Sequence, residues 1–288
     1  MHVLVTGGTG FIGSRLVPNL LAAGHEVTVL SRSTASVARA FGDKVKACTL
    51  KTPPEAFDGV INLAGASIDK RWTNARKREI RQSRVEFTQR IRQAAEERGA
   101  KVLVSGSAIG WYPDGGDEEL TEDMPAADNF LAKLSVDWEA AAQSETLRVA
   151  IVRTGLVQHA SGGMLKQMLL PFKLGLGGRI SHGRFWWAWI SLEDIAGIFQ
   201  WALESEVQGV VNGTAPDPVR NREFTKALGR ALHRPTVFPL PKFALRIVMG
   251  EMAPYVWMSQ RVVPKRTLEL GYKFKHPELD QALNAALE

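Results

Sequence analysis

The chain opens with a short apolar run that leads into a glycine turn, Thr6-Gly7-Gly8-Thr9-Gly10-Phe11-Ile12-Gly13. No other segment restricts the fold as tightly. It satisfies G-x-G-x-x-G through Gly8, Gly10 and Gly13, and T-G-x-x-G-x-x-G through Gly7, Gly10 and Gly13. Between a strand and a helix, such glycines allow a tight turn, bring backbone amides against a diphosphate and let the helix pack close on the strand. The helix predicted over 11–23 aims its unpaired N–H groups and the positive end of its dipole at the phosphates. Thr9, Phe11 and Ile12 complete the loop expected to hold the ligand. A glycine turn with a purely structural role is the alternative.

The surrounding pattern argues against that alternative. Apolar runs at 3–6, 26–30, 45–50, 60–64, 102–105 and 149–153 are interleaved with helical stretches at 11–23, 74–98 and 130–144. Near-continuous Val/Ile/Leu strands between helices mean a parallel sheet covered on both faces. Right-handed crossovers then make it doubly wound. The expected fold is α/β, a Rossmann-type doubly wound parallel sheet with a smaller C-terminal substrate lobe. A nucleotide-binding domain is predicted over 1–157 and the lobe over 158–288, with elements near 189–214 returning to the sheet. In the second half, Glu193-Asp194 opens a helix, Asn221 suits an N-cap and Pro241 a first helical position.

Composition removes several classes. A chain of 288 residues, 45% hydrophobic and 23% charged, buries about 75% of its unfolded surface and is not globally disordered. Its one cysteine, Cys48, excludes a disulfide scaffold and predicts a reducing, cytoplasmic setting. Six scattered histidines, His182 among them, have no ligand spacing, so no metal is expected. No G-x-S-x-G or P-loop lysine is present, which removes hydrolase and NTPase readings. The most apolar late stretch, 243–258, is broken by Arg246, Glu251 and Pro254, so no membrane segment is predicted.

The net charge of +6 is concentrated. Between Lys70 and Arg92 lie nine basic residues against Glu79 and Glu86. Ile80, Ser83, Phe87, Ile91 and Ala94 recur at helical spacing, which predicts one amphipathic helix with a basic outer face. A solvated face is the simplest reading, and a phosphate-bearing ligand near its start the sharper one. Nucleic acid is not an expected partner, because no recognition motif accompanies the charge. Trp186, Trp187 and Trp189 read as core. If they lined a cleft instead, the ligand would need an apolar or ring-shaped part.

The dinucleotide can be narrowed further. An acidic residue ending the second strand would accept hydrogen bonds from the adenosine ribose. Here that strand ends Thr28-Val29-Leu30-Ser31-Arg32-Ser33. A cation at Arg32 and a hydroxyl donor at Ser31 suit a 2′-phosphate, so the expected cofactor is NADP(H).

Three segments, Thr6–Gly13, Asn62-Leu63-Ala64-Gly65-Ala66 and Ser105-Gly106-Ser107-Ala108, resemble the extended short-chain dehydrogenase/reductases of the NAD-dependent epimerase/dehydratase family. The chain is most similar to an atypical subgroup of epimerase family proteins, sometimes described as cell-division inhibitors. Lys70-Arg71-Trp72-Thr73, Gln82-Ser83-Arg84, Leu174–Gly178, Leu232-His233-Arg234-Pro235 and Pro264-Lys265-Arg266 carry that likeness to the C-terminal segment. The resemblance implies cofactor contacts at Leu63, Ala64 and Gly65, and it allows a homodimer through the long helices flanking the sheet.

It also implies a Tyr-x-x-x-Lys pair, in which the tyrosinate exchanges a proton while nicotinamide exchanges a hydride. Only three tyrosines exist, and Tyr112, Tyr255 and Tyr272 are followed four residues later by Gly116, Ser259 and His276. The lysine that fits by position is Lys133, which puts Asn129 in the tyrosine's place, and an amide does not titrate near neutral pH. The catalytic candidates are therefore Ser107 as carbonyl donor, Tyr112 as substitute acid and Lys133 as ribose holder. For Tyr112, packing beside Trp111 is the competing reading. Two functions remain: an NADP(H)-dependent oxidoreductase or epimerase-like enzyme with an unknown small-molecule substrate, or a catalytically inactive NADP(H)-binding regulatory or scaffold protein.

Overall fold

A computed structural model describes residues 1–69 and 71–288, so the Lys70 end of the basic segment lies outside the described residues. In chain order the first winding is β1 (His2–Thr6), α1 (Gly13–Ala22), β2 (Glu26–Leu30), α2 (Thr34–Phe41), β3 (Lys46–Cys48) and β4 (Gly59–Asn62). The second is α3 (Asn74–Gln82), α4 (Val85–Glu97), β5 (Val102–Ala108), β6 (Glu119–Leu120), α5 (Phe130–Ala142) and β7 (Arg148–Thr154). Next come β8 (Leu156–Gln158), α6 (Gly163–Lys173), β9 (Trp186–Trp187), β10 (Trp189–Ser191), α7 (Leu192–Glu204) and β11 (Gly209–Gly213). The chain ends with β12 (Val219–Arg220), α8 (Asn221–Ala231), α9 (Lys242–Met249), α10 (Ala253–Val256), β13 (Arg261–Val262), α11 (Lys265–Glu269) and α12 (Leu279–Leu287).

Among the described residues seven strands form the main sheet, in the order β3-β2-β1-β4-β5-β7-β11. Every pairing in it is parallel. Side chains of successive strand residues point to opposite faces, and the sequence uses both. Val3 and Val5 join Val27, Val29, Val104 and Val152 on one side, packed against α1 and α7 through Leu16, Leu20, Ile195 and Phe199. Leu4, Val60, Leu103 and Ile151 face the other side, against Ile91 and Ala95 of α4. Strand order reverses between β1 and β4, which opens a crevice beyond their C-terminal ends.

The expectation of a Rossmann-type doubly wound sheet is met, with local corrections. Regular helix starts at Gly13 rather than residue 11, because Gly10 closes a turn onto the Gly7 carbonyl at 2.8 Å. An extra helix, α2, sits between β2 and β3, and its first amides are capped by Ser33. The single helix predicted over 74–98 is broken at Ser83-Arg84. There the Ser83 hydroxyl donates to the Ile80 carbonyl at 3.0 Å and accepts from the Ala66 amide at 2.9 Å. Asn221 is the first residue of α8, not its cap, and its carboxamide oxygen accepts from the Ile180 amide at 2.8 Å. Pro241 precedes α9 in the capping position.

The second half gathers a core of its own. Leu165, Phe172, Phe185, Trp187, Phe224, Leu228 and Leu283 pack together from α6, β9, α8 and α12. Trp187 and Trp189 are buried, as their reading as core requires. Trp186 is half-exposed, with the guanidinium groups of Arg220 and Arg261 within 5 Å of its ring centre.

Candidate nucleotide site

The crevice begins at the glycine turn. Gly7 adopts φ +68°, and a Cβ there would lie 2.9 Å from the Leu63 carbonyl carbon. A Cβ on Gly13 would overlap the Gly7 carbonyl oxygen, and one on Gly8 would meet Val29 at 2.8 Å. These contacts force glycine at the strand–helix junction and leave backbone as the inner surface of the turn. The Gly10 amide is used internally, while those of Phe11 and Ile12 have no acceptor among the described residues. Backbone donors without acceptors beside a helix N-terminus form an anion cradle. Phe11 itself is covered by the 159–163 loop, where a Cβ on Gly162 would lie 2.5 Å from its ring.

The end of β4 forms the opposite wall. Thr6 donates its hydroxyl to the Asn62 side-chain oxygen at 2.6 Å, and the Asn62 amide donates to Thr88 at 2.8 Å. Thr6 also accepts from the Ala64 amide at 3.2 Å. The Leu63-Ala64-Gly65 exit is thus pinned to the start of the glycine turn. Beside it stands a residue to which sequence reasoning gave no site role. Arg84 turns inward at the α3–α4 break, donating to the Ala66 carbonyl at 2.9 Å. Its guanidinium lies 3.0 Å from where a Gly65 Cβ would stand and 5.1 Å from the Trp138 ring centre. Burial, with Arg76 nearby, pulls its pKa down to about 10, so it stays charged at neutral pH. Among the described residues no carboxylate forms an ion pair with it. The sequence carried no signal for this turn, because helical spacing runs on through Ser83 to Phe87 and Ile91.

Several other cations of the described basic segment are held in ion pairs. Arg76 pairs with Glu79, Arg81 with Asp137 and Arg92 with Glu96, and Lys77 reaches Glu251. At the exit of β2, Ser31 donates its amide to the Cys48 carbonyl at 3.0 Å, and its hydroxyl accepts from the Ser33 amide at 3.2 Å. Arg32 is exposed beside it, next to the start of α2.

Of the three catalytic candidates, Ser107 and Tyr112 meet in one buried network through Glu139 and Arg153, and Lys133 takes no part in it. Ser107 is buried and donates to Glu139 at 2.6 Å. Glu139 in turn is gripped by Arg153, at 2.8 and 2.9 Å. Tyr112 is completely buried, its hydroxyl donating to Asn212 at 2.8 Å and accepting from Arg153 at 3.0 Å. Burial pushes that hydroxyl up to about 12. Tyr112, expected to supply the proton, thus has no exposed surface, and its hydroxyl is committed to Asn212 and Arg153. Its packing role with Ile109, Leu120 and Val262 is what the structure places there. Ser107 likewise spends its proton on Glu139 rather than aiming it into the crevice. Lys133 is exposed, one turn into α5, paired with Asp128 at 2.6 Å, and that carboxylate raises its pKa. Asn129, where the superfamily tyrosine would stand, caps α5 by accepting from the Ala132 amide at 3.0 Å. The residue is explained by helix capping.

Among the described residues no group of acids, histidines and cysteines could hold a metal ion, and no helix is long and apolar enough to cross a membrane.

Comparison with known proteins agrees with this geometry. The model of the NAD dependent epimerase/dehydratase family matches residues 3–214, and a domain of unknown function, DUF1731, matches 240–286. The chain is 42% identical to the epimerase family protein SDR39U1 of Bos taurus, with the whole of both chains covered. It is 36% identical to epimerase family protein YfhF of Bacillus subtilis, over 99% of this chain and 97% of that one. The crystal structure of human SDR39U1 with NADPH superposes with a TM-score of 0.91 at 38% identity, covering 99% of each chain. A Thermus thermophilus UDP-glucose 4-epimerase shares the fold, with a TM-score of 0.73 at 22% identity over 99% of this chain and 97% of that one. The chain belongs to the NAD dependent epimerase/dehydratase family.

Proposed function

We propose that the chain is an NADP(H)-binding, epimerase-like protein whose crevice takes the cofactor diphosphate on the turn 7–13 and its 2′-phosphate on Arg32. The observation that carries this reading is the cradle itself: walls only glycine can form, and, among the described residues, amides of Phe11 and Ile12 without acceptors and a desolvated Arg84 without an acid partner. The similar human protein solved with NADPH supports the same choice of nucleotide. When bound, the nicotinamide would supply hydride transfer. The chain would grip the phosphates through Gly7–Gly13, the adenosine corner through Ser31 and Arg32, and the inner wall through Leu63, Ala64 and Gly65. Lys133 holds the ribose in this reading, exchanging its exposed Asp128 partner for ribose hydroxyls at little cost, since an exposed ion pair is weak.

Arg32→Ala tests the assignment by calorimetry. NADPH affinity should fall by about 1.5–3 kcal/mol, the worth of a charge-assisted hydrogen bond, while NADH affinity stays constant. Equal affinities for NADH and NADPH in the unsubstituted protein would overturn it.

A second reading, binding without turnover, is favoured by one observation: the tyrosine position is a helix cap, and both nearby hydroxyls, Ser107 and Tyr112, are buried and committed. Incubation with 4-deuterated NADPH and a set of small carbonyl compounds separates the two. Deuterium transfer supports an oxidoreductase, and tight NADPH binding with no transfer supports the regulatory or scaffold role.

A further inference from the structure

Fourteen large apolar side chains are exposed among the described residues, and nine of them lie between Leu170 and Val248. They form one face. Ile180 pairs with Leu240 in a parallel bridge, the Leu240 amide donates to the Arg179 carbonyl at 2.8 Å, and Arg234 donates to the Lys173 carbonyl at 2.9 Å. These bonds set the end of α6 and its loop, bearing Leu174 and Leu176, beside Phe238. Helix α9 continues directly from there and buries none of its residues. Phe243, Ile247 and Val248 stand out from it at 67%, 72% and 75% exposure.

The stretches of sequence that carry these side chains hold cations and no acid. No Asp or Glu occurs between Glu145 and Glu193 or between Glu223 and Glu251, whereas Lys166, Lys173, Lys242 and Arg246 fall within those stretches. Lys242 and Arg246 are held near the rim, 5.2 and 5.8 Å from the Trp257 ring centre.

We propose that the face formed by α6, the 174–178 loop and α9 docks on the surface of an anionic lipid bilayer. A helix with protruding aromatic and aliphatic side chains flanked by Lys and Arg lies in the membrane interface, its apolar side in the acyl boundary and its cations on the headgroups. Contiguous apolar surface of this kind marks an interaction site rather than ordinary exposure. A second copy of the chain fits less well, because a self-complementary contact would set these like charges against one another. The mode differs from spanning, for which no helix of the described chain is suited.

Flotation of the full-length protein with vesicles tests the proposal. With equal parts phosphatidylglycerol and phosphatidylcholine at low salt the protein should float, and with phosphatidylcholine alone it should stay behind. Phe243→Glu combined with Ile247→Glu should abolish flotation without changing the melting temperature or NADPH affinity, since both side chains are exposed. Lys242→Ser and Arg246→Ser should each weaken vesicle binding about fivefold. Failure of the unsubstituted protein to float, or equal flotation by the Phe243/Ile247 variant, would overturn the proposal. So would a dimer in sedimentation equilibrium that Ile247→Glu dissociates while vesicles go unbound, which would give the face to a second copy. An acidic protein partner would be indicated, against this proposal, by high-affinity capture on polyglutamate without any vesicle binding.

Discussion

Arg84 carries a cost that its surroundings do not repay. Its guanidinium is desolvated against Gly65 and Trp138, and among the described residues it donates only to the Ala66 carbonyl. A charge kept in such a place without an acid partner is expected where an anionic ligand completes it. Arg84→Gln should therefore weaken NADPH binding about 10- to 100-fold by calorimetry, while leaving the melting temperature unchanged or raising it. A fall in stability with unchanged affinity would make Arg84 structural. Tyr112 is the opposite case. Tyr112→Phe should cost about 1–2 kcal/mol in urea denaturation, through the lost bond to Asn212, and leave any turnover intact. Because the folded hydroxyl titrates near 12, above its unfolded value of about 10, the folded state binds more protons in that window. Its stabilising contribution is whole below pH 10 and is lost as pH rises towards 12. The alkaline fall in stability should be shallower for Tyr112→Phe. The sequence could place a hydroxyl near the crevice, but the partner that disarms it, Asn212, is 100 residues away.

At the scale of elements, the buried pair of Glu139 and Arg153 joins α5 to β7 and, through Ser107, to β5. Burial works against the Arg153 charge, and Glu139 with Tyr112 more than offsets it, so the guanidinium pKa is raised. Removing one partner strands the other. Glu139→Ala should cost about 3–5 kcal/mol in urea denaturation, whereas Glu139→Leu with Arg153→Met should recover most of that loss. If the double substitution is as damaging as the single one, the pair is doing something beyond neutralising itself. A trace of this network was legible. Ala132, Ser135, Glu139 and Ala142 share the inward face of α5, so an acid stood where helical spacing calls for a small or apolar residue. Which cation answers it was not legible, because strand β7 reads as an ordinary buried run and parallel pairing hides its neighbours. The strands and the glycine turn were readable because backbone geometry and a two-residue period dictate them locally. Helix α2 was not, since the eight residues 34–41 bury only Val37 and leave almost no periodic signal. The break at 83–84 escaped for a related reason: helical spacing resumes after Arg84, and only the tertiary bonds of Ser83 reveal the interruption.

Across the whole molecule, hydrogen bonds tie the last thirty residues back to β11 and α7. Thr267 donates to the Asn212 carbonyl on edge strand β11 at 2.8 Å, and the Asn212 side chain donates to the Val263 carbonyl at 3.0 Å. Glu122 accepts from the amides of both Asn212 and Arg266, at 3.0 and 3.2 Å. Buried Asp194 at the start of α7 accepts from the amides of Lys275 and His276, at 2.6 and 3.0 Å. Helix α12 then sets Ala282 against Trp189 and Leu283 against the core of the second half. Of these bonds the two from Glu122 cross a boundary drawn at residue 157, and the others join the tail to β11 and α7, which lie within 189–214. Losing residues 259–288 would strip acceptors and donors from β11 and α7 and uncover their apolar partners at the same time, so the remaining sheet has no independent way to close that edge. The ligand-free chain should accordingly unfold in one calorimetric transition, with van't Hoff and calorimetric enthalpies in agreement. A chain ending at residue 258 should lack a cooperative transition altogether. Two resolved transitions in the full chain, or a cooperatively melting truncated form, would mean that the sheet stands alone and that the crossing bonds add little to it.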